Sequence, residues 1–301
     1  MFEKLLTEHR NPASAHIDRL STEEMLRVIN AEDRIVAEAV KREIPRIALA
    51  VDAIVNAMRH GGRLFYIGAG TSGRLGVLDA VECSPTYNVP AELVQGVVAG
   101  GEAALARATE ASEDDADSGA RDLRSGGFTA KDVVCGIAAS GRTPYVLGAV
   151  AEARRSGAVT IGLSSVPQSP LSAAVDIAIT PLTGPEVIAG STRMKAGTAT
   201  KLVLNMLTTA AMIRLGHTYG NLMVNVQPKN QKLRDRACRI VAEAARVDGE
   251  TAAAFLDAAG GSVRTALVMA KLDVSRQEAD KRLEDAGQIV SKALGENRDL
   301  G

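Results

Sequence analysis

Residues 63–85 read Arg-Leu-Phe-Tyr-Ile-Gly-Ala-Gly-Thr-Ser-Gly-Arg-Leu-Gly-Val-Leu-Asp-Ala-Val-Glu-Cys-Ser-Pro. The first five residues predict a buried strand, residues 68–73 a glycine-rich turn with two hydroxyls, and the spacing from Leu75 onward a helix. In α/β proteins this order forms phosphate sites, because glycines let the backbone approach the anion and the first N–H groups of the helix point at it. The stretch therefore predicts a site for a phosphorylated small molecule, and we expect a sugar phosphate.

Strand and helix patterns alternate after this stretch. Strand-like runs occupy residues 63–68, 93–98, 132–138, 158–164 and 175–180, and helical patterns occupy 74–83, 102–108, 114–124 and 144–156. Strands joined by helical crossovers form a parallel sheet, which binds its ligands at the carboxyl ends of the strands. The pattern predicts an α/β fold with a five-stranded parallel sheet. Small hydroxyls follow four of the strands, at 71–72, 140–143, 164–165 and 191–192, and one polar pocket would explain them.

Helices flank this region on both sides. An irregular arm to about residue 20 precedes a capping box formed by Ser21 and Glu24. Further helices are predicted at 22–42, 45–60, 192–215, 232–247, 249–258, 262–271 and 275–294, with a linker at 216–230. We expect three parts: an N-terminal arm and helix (1–45), a sugar-phosphate domain (46–220), and a linker with a small helical C-terminal domain (221–301).

Composition narrows the class of protein. The chain has 301 residues, 46% of them hydrophobic, with 35 basic and 36 acidic residues and no basic run interleaved with aromatics. This balance argues against nucleic acid as a partner. Cys83, Cys135 and Cys238 lie in no metal-ligand spacing, and no apolar run approaches ~18 residues. We expect a cytoplasmic protein with no membrane partner and no metal.

The glycine turn leaves alternatives open. Gly68, Gly70 and Gly73 satisfy the dinucleotide fingerprint G-x-G-x-x-G, but NAD binding calls for an acidic residue at the end of the second strand. That strand ends in Ala99-Gly-Gly instead. Phosphate binding through Thr71 and Ser72 is therefore favoured over NAD binding, and a purely structural turn is the third reading.

Further site residues have an ordinary explanation beside the functional one. Ser140 and Thr143 could hold phosphate or simply cap a helix, and the Ser-Gly-Arg that they share with the first turn favours phosphate. Glu82 follows Leu75 by seven residues and Leu78 by four, so we expect it on the same face of the helix and partly buried. Burial would raise the pKa of its carboxyl, which suits a general acid. A glutamate turned to solvent is the alternative.

An acidic cluster after the second strand comprises Glu110, Glu113, Asp114, Asp115 and Asp117. Helix capping by Ser112, with Asp115 completing a capping box, explains it without catalysis. The pattern alone selects none of the five as catalytic.

Residues 184–201 read Gly-Pro-Glu-Val-Ile-Ala-Gly-Ser-Thr-Arg-Met-Lys-Ala-Gly-Thr-Ala-Thr-Lys. This segment resembles the signature shared by bacterial N-acetylmuramic acid 6-phosphate etherases and the glucokinase regulatory protein, both built on the sugar isomerase (SIS) fold. The resemblance extends over residues 68–76, 79–83, 136–145, 205–207, 212–216 and 221–224. A length that fits about one SIS domain favours the etherases.

The resemblance implies a three-layer SIS fold and the removal of D-lactate from N-acetylmuramic acid 6-phosphate during peptidoglycan recycling. It implies catalytic roles for Glu82 and Glu113, and phosphate binding by Ser72, Ser140 and Thr143. Ser191, Thr192 and Lys195 would line the same pocket. It further implies a homodimer and no metal or redox cofactor.

Two rival functions stay open. A sugar-phosphate-sensing regulator would use the same pocket without catalysis. An aldose-ketose isomerase is the other rival, but SIS isomerases often carry Ser-Gly-Glu-Thr where this chain has Ser140-Gly-Arg-Thr143.

Overall fold

The computed structural model describes residues 8–107, 113–226, 228 and 230–296. Five parallel strands form its main sheet in the order β2-β1-β3-β4-β5. Their bounds are β1 Leu64–Gly68, β2 Val94–Val98, β3 Val133–Ile137, β4 Val159–Leu163 and β5 Ile177–Ile179. The predicted α/β fold and its five-stranded parallel sheet are confirmed.

The strands end in register. Gly68 at the end of β1 pairs with Val98 of β2 and with Ile137 of β3, and Ile137 pairs in turn with Leu163 of β4. Because neighbouring strands lie about 4.8 Å apart, the loops that follow these strands emerge side by side at one edge of the sheet. The predicted hydroxyl-bearing loops after β1 and β3 follow adjacent strands.

Helices cover both faces of this sheet. The crossover helices are α3 Gly70–Tyr87, α4 Ala103–Ala106, α5 Ala116–Ser125, α6 Pro144–Arg155 and α7 Pro170–Ala174. On one face α6 packs on Phe65, Ile67 and Val134. On the other face Gly76 of α3 lies against Tyr66, so a Cβ there would come within 2.9 Å of the tyrosine Cβ. The molecule therefore has the expected three layers in this region.

The N-terminal helices are α1 Thr22–Arg42 and α2 Ile44–Arg59. The predicted capping box of α1 is present, because the Ser21 hydroxyl accepts from the Glu24 N–H while the Glu24 carboxylate accepts from the Ser21 N–H. Asn11 and Ser14 of the arm are buried. The arm is thus anchored by polar side chains.

The chain divides into two compact units. The first comprises the described residues up to Glu82 together with those of Ala91–Thr209, and the second Cys83–Pro90 with those from Ala210 onward. The long helix α8 Lys195–Arg214 begins in the first unit and ends in the second. The three-part division made from the sequence stays a prediction.

The second unit is mainly helical. Its helices are α9 Gln231–Ala245, α10 Gly249–Ala258, α11 Val263–Leu272, α12 Arg276–Asp285 and α13 Val290–Ala293. The single helix predicted at 275–294 is wrong, since Gly287 and Gln288 both have positive φ and end the helical path. The predicted linker also contains a hairpin, β6 Thr218–Tyr219 and β7 Leu222–Met223, that turns at Gly220.

No helix within the described ranges is long and apolar enough to cross a membrane.

His217 gives the second unit a pH-sensitive contact. Its Nδ1 lies 3.2 Å from Arg264 Nη2 and 3.1 Å from Asn225 Nδ2. Both partners carry N–H donors, so Nδ1 accepts and the ring is neutral. Burial, aided by the charge of Arg264, lowers the pKa of His217 from 6.5 to about 4.

We expect acid to destabilise the fold through His217. Between pH 6.5 and about 4 the His217 side chain is protonated in the unfolded chain but neutral in the folded chain. The free energy of unfolding therefore falls as the pH falls. Urea unfolding at pH 7 and at pH 5 measures this effect. From pH 7 to pH 5 the free energy of unfolding should drop further in wild type than in His217→Asn, by on the order of 1 kcal/mol. Equal drops would contradict this role.

Candidate active site

The turn after β1 depends on the absence of side chains. Gly70 has φ +52°, and a Cβ on Gly73 would lie 2.5 Å from the Gly68 carbonyl oxygen and 2.7 Å from Val98 Cγ2. This contact lets α3 begin at Gly70 rather than at residue 74 as predicted. Thr71 and Ser72 consequently lie in its first turn, where N–H groups have no intrahelical carbonyl partner.

The loop after β3 is a second tight turn. Gly141 has φ +64°, and a Cβ there would lie 2.2 Å from Ser169 Oγ. Ser140 is half-buried, and its hydroxyl oxygen accepts from the Arg142 N–H at 3.3 Å. These contacts restrict the position of Ser140, which follows the strand next to β1.

Thr143 does not cap the helix it precedes. It occupies the N-cap position of α6 without a side-chain cap hydrogen bond, and its hydroxyl donates instead to Glu113 Oε1 at 3.1 Å. The Glu113 carbonyl accepts from the Tyr145 N–H at 3.1 Å. Two contacts thus hold Glu113 at the start of α6, and the structure brings together a predicted phosphate ligand and a predicted catalytic residue.

The acidic neighbours of Glu113 have other positions. Asp115 is itself the N-cap of α5 and accepts from the Ser118 N–H, so its predicted role as the third residue of a capping box is wrong. The proposed cap Ser112 lies outside the described residues, as does Glu110. Glu113 is exposed and precedes the helix, which leaves its carboxylate accessible.

The segment before α8 is arranged around Glu186. This carboxylate is buried and accepts from the N–H groups of Lys195 and Ala196, both at 2.9 Å. Ser191 and Thr192 lie just before the helix and are partly exposed. A Cβ on Gly197 would be 3.7 Å from Thr71 Cγ2, so Thr71 lies next to the first turn of α8.

Lys195 has a protein partner. Its side chain is 1% exposed, and Nζ pairs with Glu32 Oε2 at 2.5 Å, which also accepts from Asn11. Burial favours the neutral form of Glu32, but the hydrogen bonds from Lys195 and Asn11 and the lysine charge outweigh it, so the pKa of Glu32 is lowered. The Lys195 ammonium thus pairs with a residue of α1. That Lys195 lines the ligand pocket stays a prediction.

Glu82 is exposed, so the expectation of a partly buried carboxyl is wrong for the single chain. The buried stripe of α3 consists of small residues rather than the leucines, and Leu78 is 42% exposed. The reason is the close approach of α3 to the sheet, which Gly73, Gly76 and Ala80 permit. With a rise of 1.5 Å per residue, Glu82 lies about 15 Å along the helix from Ser72. Within one chain the structure does not bring Glu82 to the other predicted site residues.

Asp79 is a buried carboxyl that the sequence reasoning did not single out. It accepts from the Tyr66 hydroxyl at 3.0 Å, and burial raises its pKa despite that hydrogen bond. Asp79 follows Gly76 by three residues and so lies on the same buried face of α3 as the small residues. This spacing is the sequence signal that indicates its burial.

Two of the three cysteines are buried. Cys83 and Cys135 have buried thiols, and burial raises the pKa of Cys135 to about 12. Among the residues that the structure describes, no group of three or more His, Cys, Asp and Glu side chains could hold a metal ion.

The three-layer α/β unit, with glycine turns at one edge of its parallel sheet, has the architecture of an SIS domain. A family model of the glucokinase regulatory protein N-terminal SIS domain matches residues 46–154. The phosphoheptose isomerase of Neisseria gonorrhoeae is similar in structure, with a TM-score of 0.50 and 20% identity over 64% of this chain and 98% of that chain. This likeness shows the fold.

Curated relatives narrow the class to one family. The N-acetylmuramic acid 6-phosphate etherase of Vibrio vulnificus is 54% identical over 97% of this chain and 98% of its own length. The etherase of Rubrobacter xylanophilus is 54% identical over 98% of this chain and 97% of its own length. The chain belongs to the N-acetylmuramic acid 6-phosphate etherase family.

We expect Gly73→Ala to destabilise the protein by about 1–3 kcal/mol, because the added methyl group meets the Gly68 carbonyl and Val98. Gly197→Ala is the matched control. Its Cβ would meet only ordinary contacts at 3.5 Å or more, so helix propensity should make it neutral or slightly stabilising. Urea unfolding measures both, and equal stability of the two variants would show that the turn tolerates a side chain.

Proposed function

We propose that this chain cleaves the D-lactyl ether of N-acetylmuramic acid 6-phosphate to give N-acetylglucosamine 6-phosphate and D-lactate. The observation that carries the proposal is the near full-length 54% identity to etherases of that name. The adjacent glycine turns after β1 and β3 support it, because they offer an anion site of the kind that a sugar phosphate needs. The reaction belongs to peptidoglycan recycling in the cytoplasm.

The phosphate would bind at the two turns. The first N–H groups of α3 and the hydroxyls of Thr71 and Ser72 would donate from one side, and the hydroxyl of Ser140 from the other. Thr143 would join them by turning its single hydroxyl proton from Glu113 to the phosphate. Ser191 and Thr192 would close the pocket from the segment before α8, which lies near Thr71.

Two carboxylates supply the chemistry. In the open-chain sugar the C1 aldehyde acidifies the C2 proton, and a carboxylate removes it as the C3–O bond breaks and lactate leaves with a proton from an acid. Water then adds at C3 and a proton returns to C2. We assign Glu113 and Glu82 to these proton transfers, and neither step calls for a metal or redox cofactor.

The position of Glu82 leads us to propose a homodimer. At about 15 Å along α3 from Ser72, Glu82 is too distant to act on a sugar whose phosphate binds at the start of the same helix. Exposed Leu78 and Val81 lie beside it, an apolar surface of the kind that a second copy covers. Glu82 of the partner subunit would then complete each site.

The direct test is lactate release. Purified protein mixed with N-acetylmuramic acid 6-phosphate should release lactate without added metal or NAD, and Ser72→Ala should raise KM by weakening phosphate binding. Enzymatic lactate detection measures this. An inert wild-type protein would refute the proposal.

Glu82→Gln and Glu113→Gln should each lower kcat by at least about 100-fold, since each removes a proton-transfer group. Binding of N-acetylglucosamine 6-phosphate should persist in both variants. Glu92→Gln, an exposed glutamate outside the site, is the matched control. Full turnover by either site variant would remove that glutamate from the mechanism.

Mixed dimers test the assembly in trans. Co-expressed Glu82→Gln and Glu113→Gln chains should regain activity that neither variant has alone, because a mixed dimer contains one site with both glutamates. Differently tagged chains allow the mixed species to be purified and its lactate release measured. A mixed dimer as inactive as its parents would show that both glutamates act within one chain.

A non-catalytic sugar-phosphate sensor is the second candidate, favoured by the match to the glucokinase regulatory protein SIS domain. Such a sensor would bind the sugar phosphate and a partner protein without releasing lactate. The lactate assay separates the two.

A further inference from the structure

The proposed substrate carries two anions, and the turns account for only one of them. Its phosphate has the hydroxyls and N–H groups described above. Its lactyl carboxylate lies next to the bond that breaks, close to the two glutamates, which would repel it. A cation at this edge of the sheet would offset that repulsion.

Arg142 is a cation at this edge to which the phosphate site and the proton transfers give no role. Its Nε is buried and has no hydrogen-bond partner, and no ion pair to Arg142 occurs among the residues that the structure describes. A buried guanidinium nitrogen without an acceptor is unfavourable, and a carboxylate is the acceptor that matches guanidinium geometry best.

Two other cations near this edge have partners within the protein. Arg74 donates to the carbonyl oxygens of Ala104 and Arg107, and Lys195 pairs with Glu32. Their binding capacity is therefore directed to the protein, whereas that of Arg142 is not.

The loop fixes where Arg142 lies. Its N–H donates to the Ser140 hydroxyl, and the next residue, Thr143, donates to Glu113. The preceding Gly141 packs against Ser169, which leaves the turn little freedom. Arg142 is thus held between a proposed phosphate ligand and a proposed catalytic carboxylate, within a side chain's length of both.

We propose that Arg142 is a specificity-determining residue that binds the lactyl carboxylate of the substrate. This inference rests on the proposed function. Arg142 would favour binding of the substrate over the product, because N-acetylglucosamine 6-phosphate has lost the carboxylate.

The test compares the substrate acid with its lactyl amide, which is nearly the same size and uncharged. Wild type should favour the acid in kcat/KM by roughly 10–100-fold, the range expected for hydrogen bonds to a charged group. In Arg142→Gln the preference should fall to within about threefold, because only the acid loses its partner. Arg142→Lys keeps the positive charge but lacks the paired N–H donors of the guanidinium, so its preference for the acid should be intermediate. Arg154→Gln, an exposed arginine on α6, should behave as wild type.

Each outcome decides the point. A wild type that does not discriminate overturns the role of Arg142, as does a loss in Arg142→Gln that is equal for acid and amide, which would mark a structural residue. Calorimetric titration of both compounds gives the same comparison from binding alone. A wild type that binds the acid over the amide through Arg142 but releases no lactate would refute the proposed function and retain the carboxylate site.

Discussion

The contact between Gly68 and Gly73 sets the distance at which α3 lies on the sheet. A side chain at Gly73 would overlap the carbonyl oxygen of Gly68, and Gly76 continues the close approach against Tyr66. Because the helix starts this close to the end of β1, its first N–H groups face the sheet edge where the other loops emerge. The same closeness turns the large residues of α3 outward, so that Leu78, Val81 and Glu82 form an exposed surface.

The signature segment depends on a buried polar network. Glu186 fixes the start of α8 through two N–H groups, and Lys195 joins that start to Glu32 of α1. Asn11 donates to both Glu32 and the Pro185 carbonyl, so the N-terminal arm ties the network to the loop. Breaking one member would leave a buried charge or amide unpaired, which costs more than an exposed pair would. The arm therefore supports the edge on which Ser191 and Thr192 lie.

Local pattern was sufficient for the strands, since apolar runs between glycines specify a buried parallel sheet whatever their neighbours are. It also selects Ser140 and Thr143 as candidates, but it cannot show that the Thr143 hydroxyl donates to Glu113, a contact across thirty positions. The pattern predicts the wrong buried face for α3. Helical periodicity is read from large apolar residues, whereas the face of α3 that packs on the sheet consists of small residues. The break at Gly287 was missed because residues on both sides fit one helical period.

In the proposed site the turns after β1 and β3 hold one phosphate between them. A crystal structure with bound N-acetylglucosamine 6-phosphate tests it most directly. We expect the phosphate within hydrogen-bond distance of the hydroxyls of both Ser72 and Ser140, with Glu113 of the same chain facing the sugar. A phosphate bound away from either serine would contradict it.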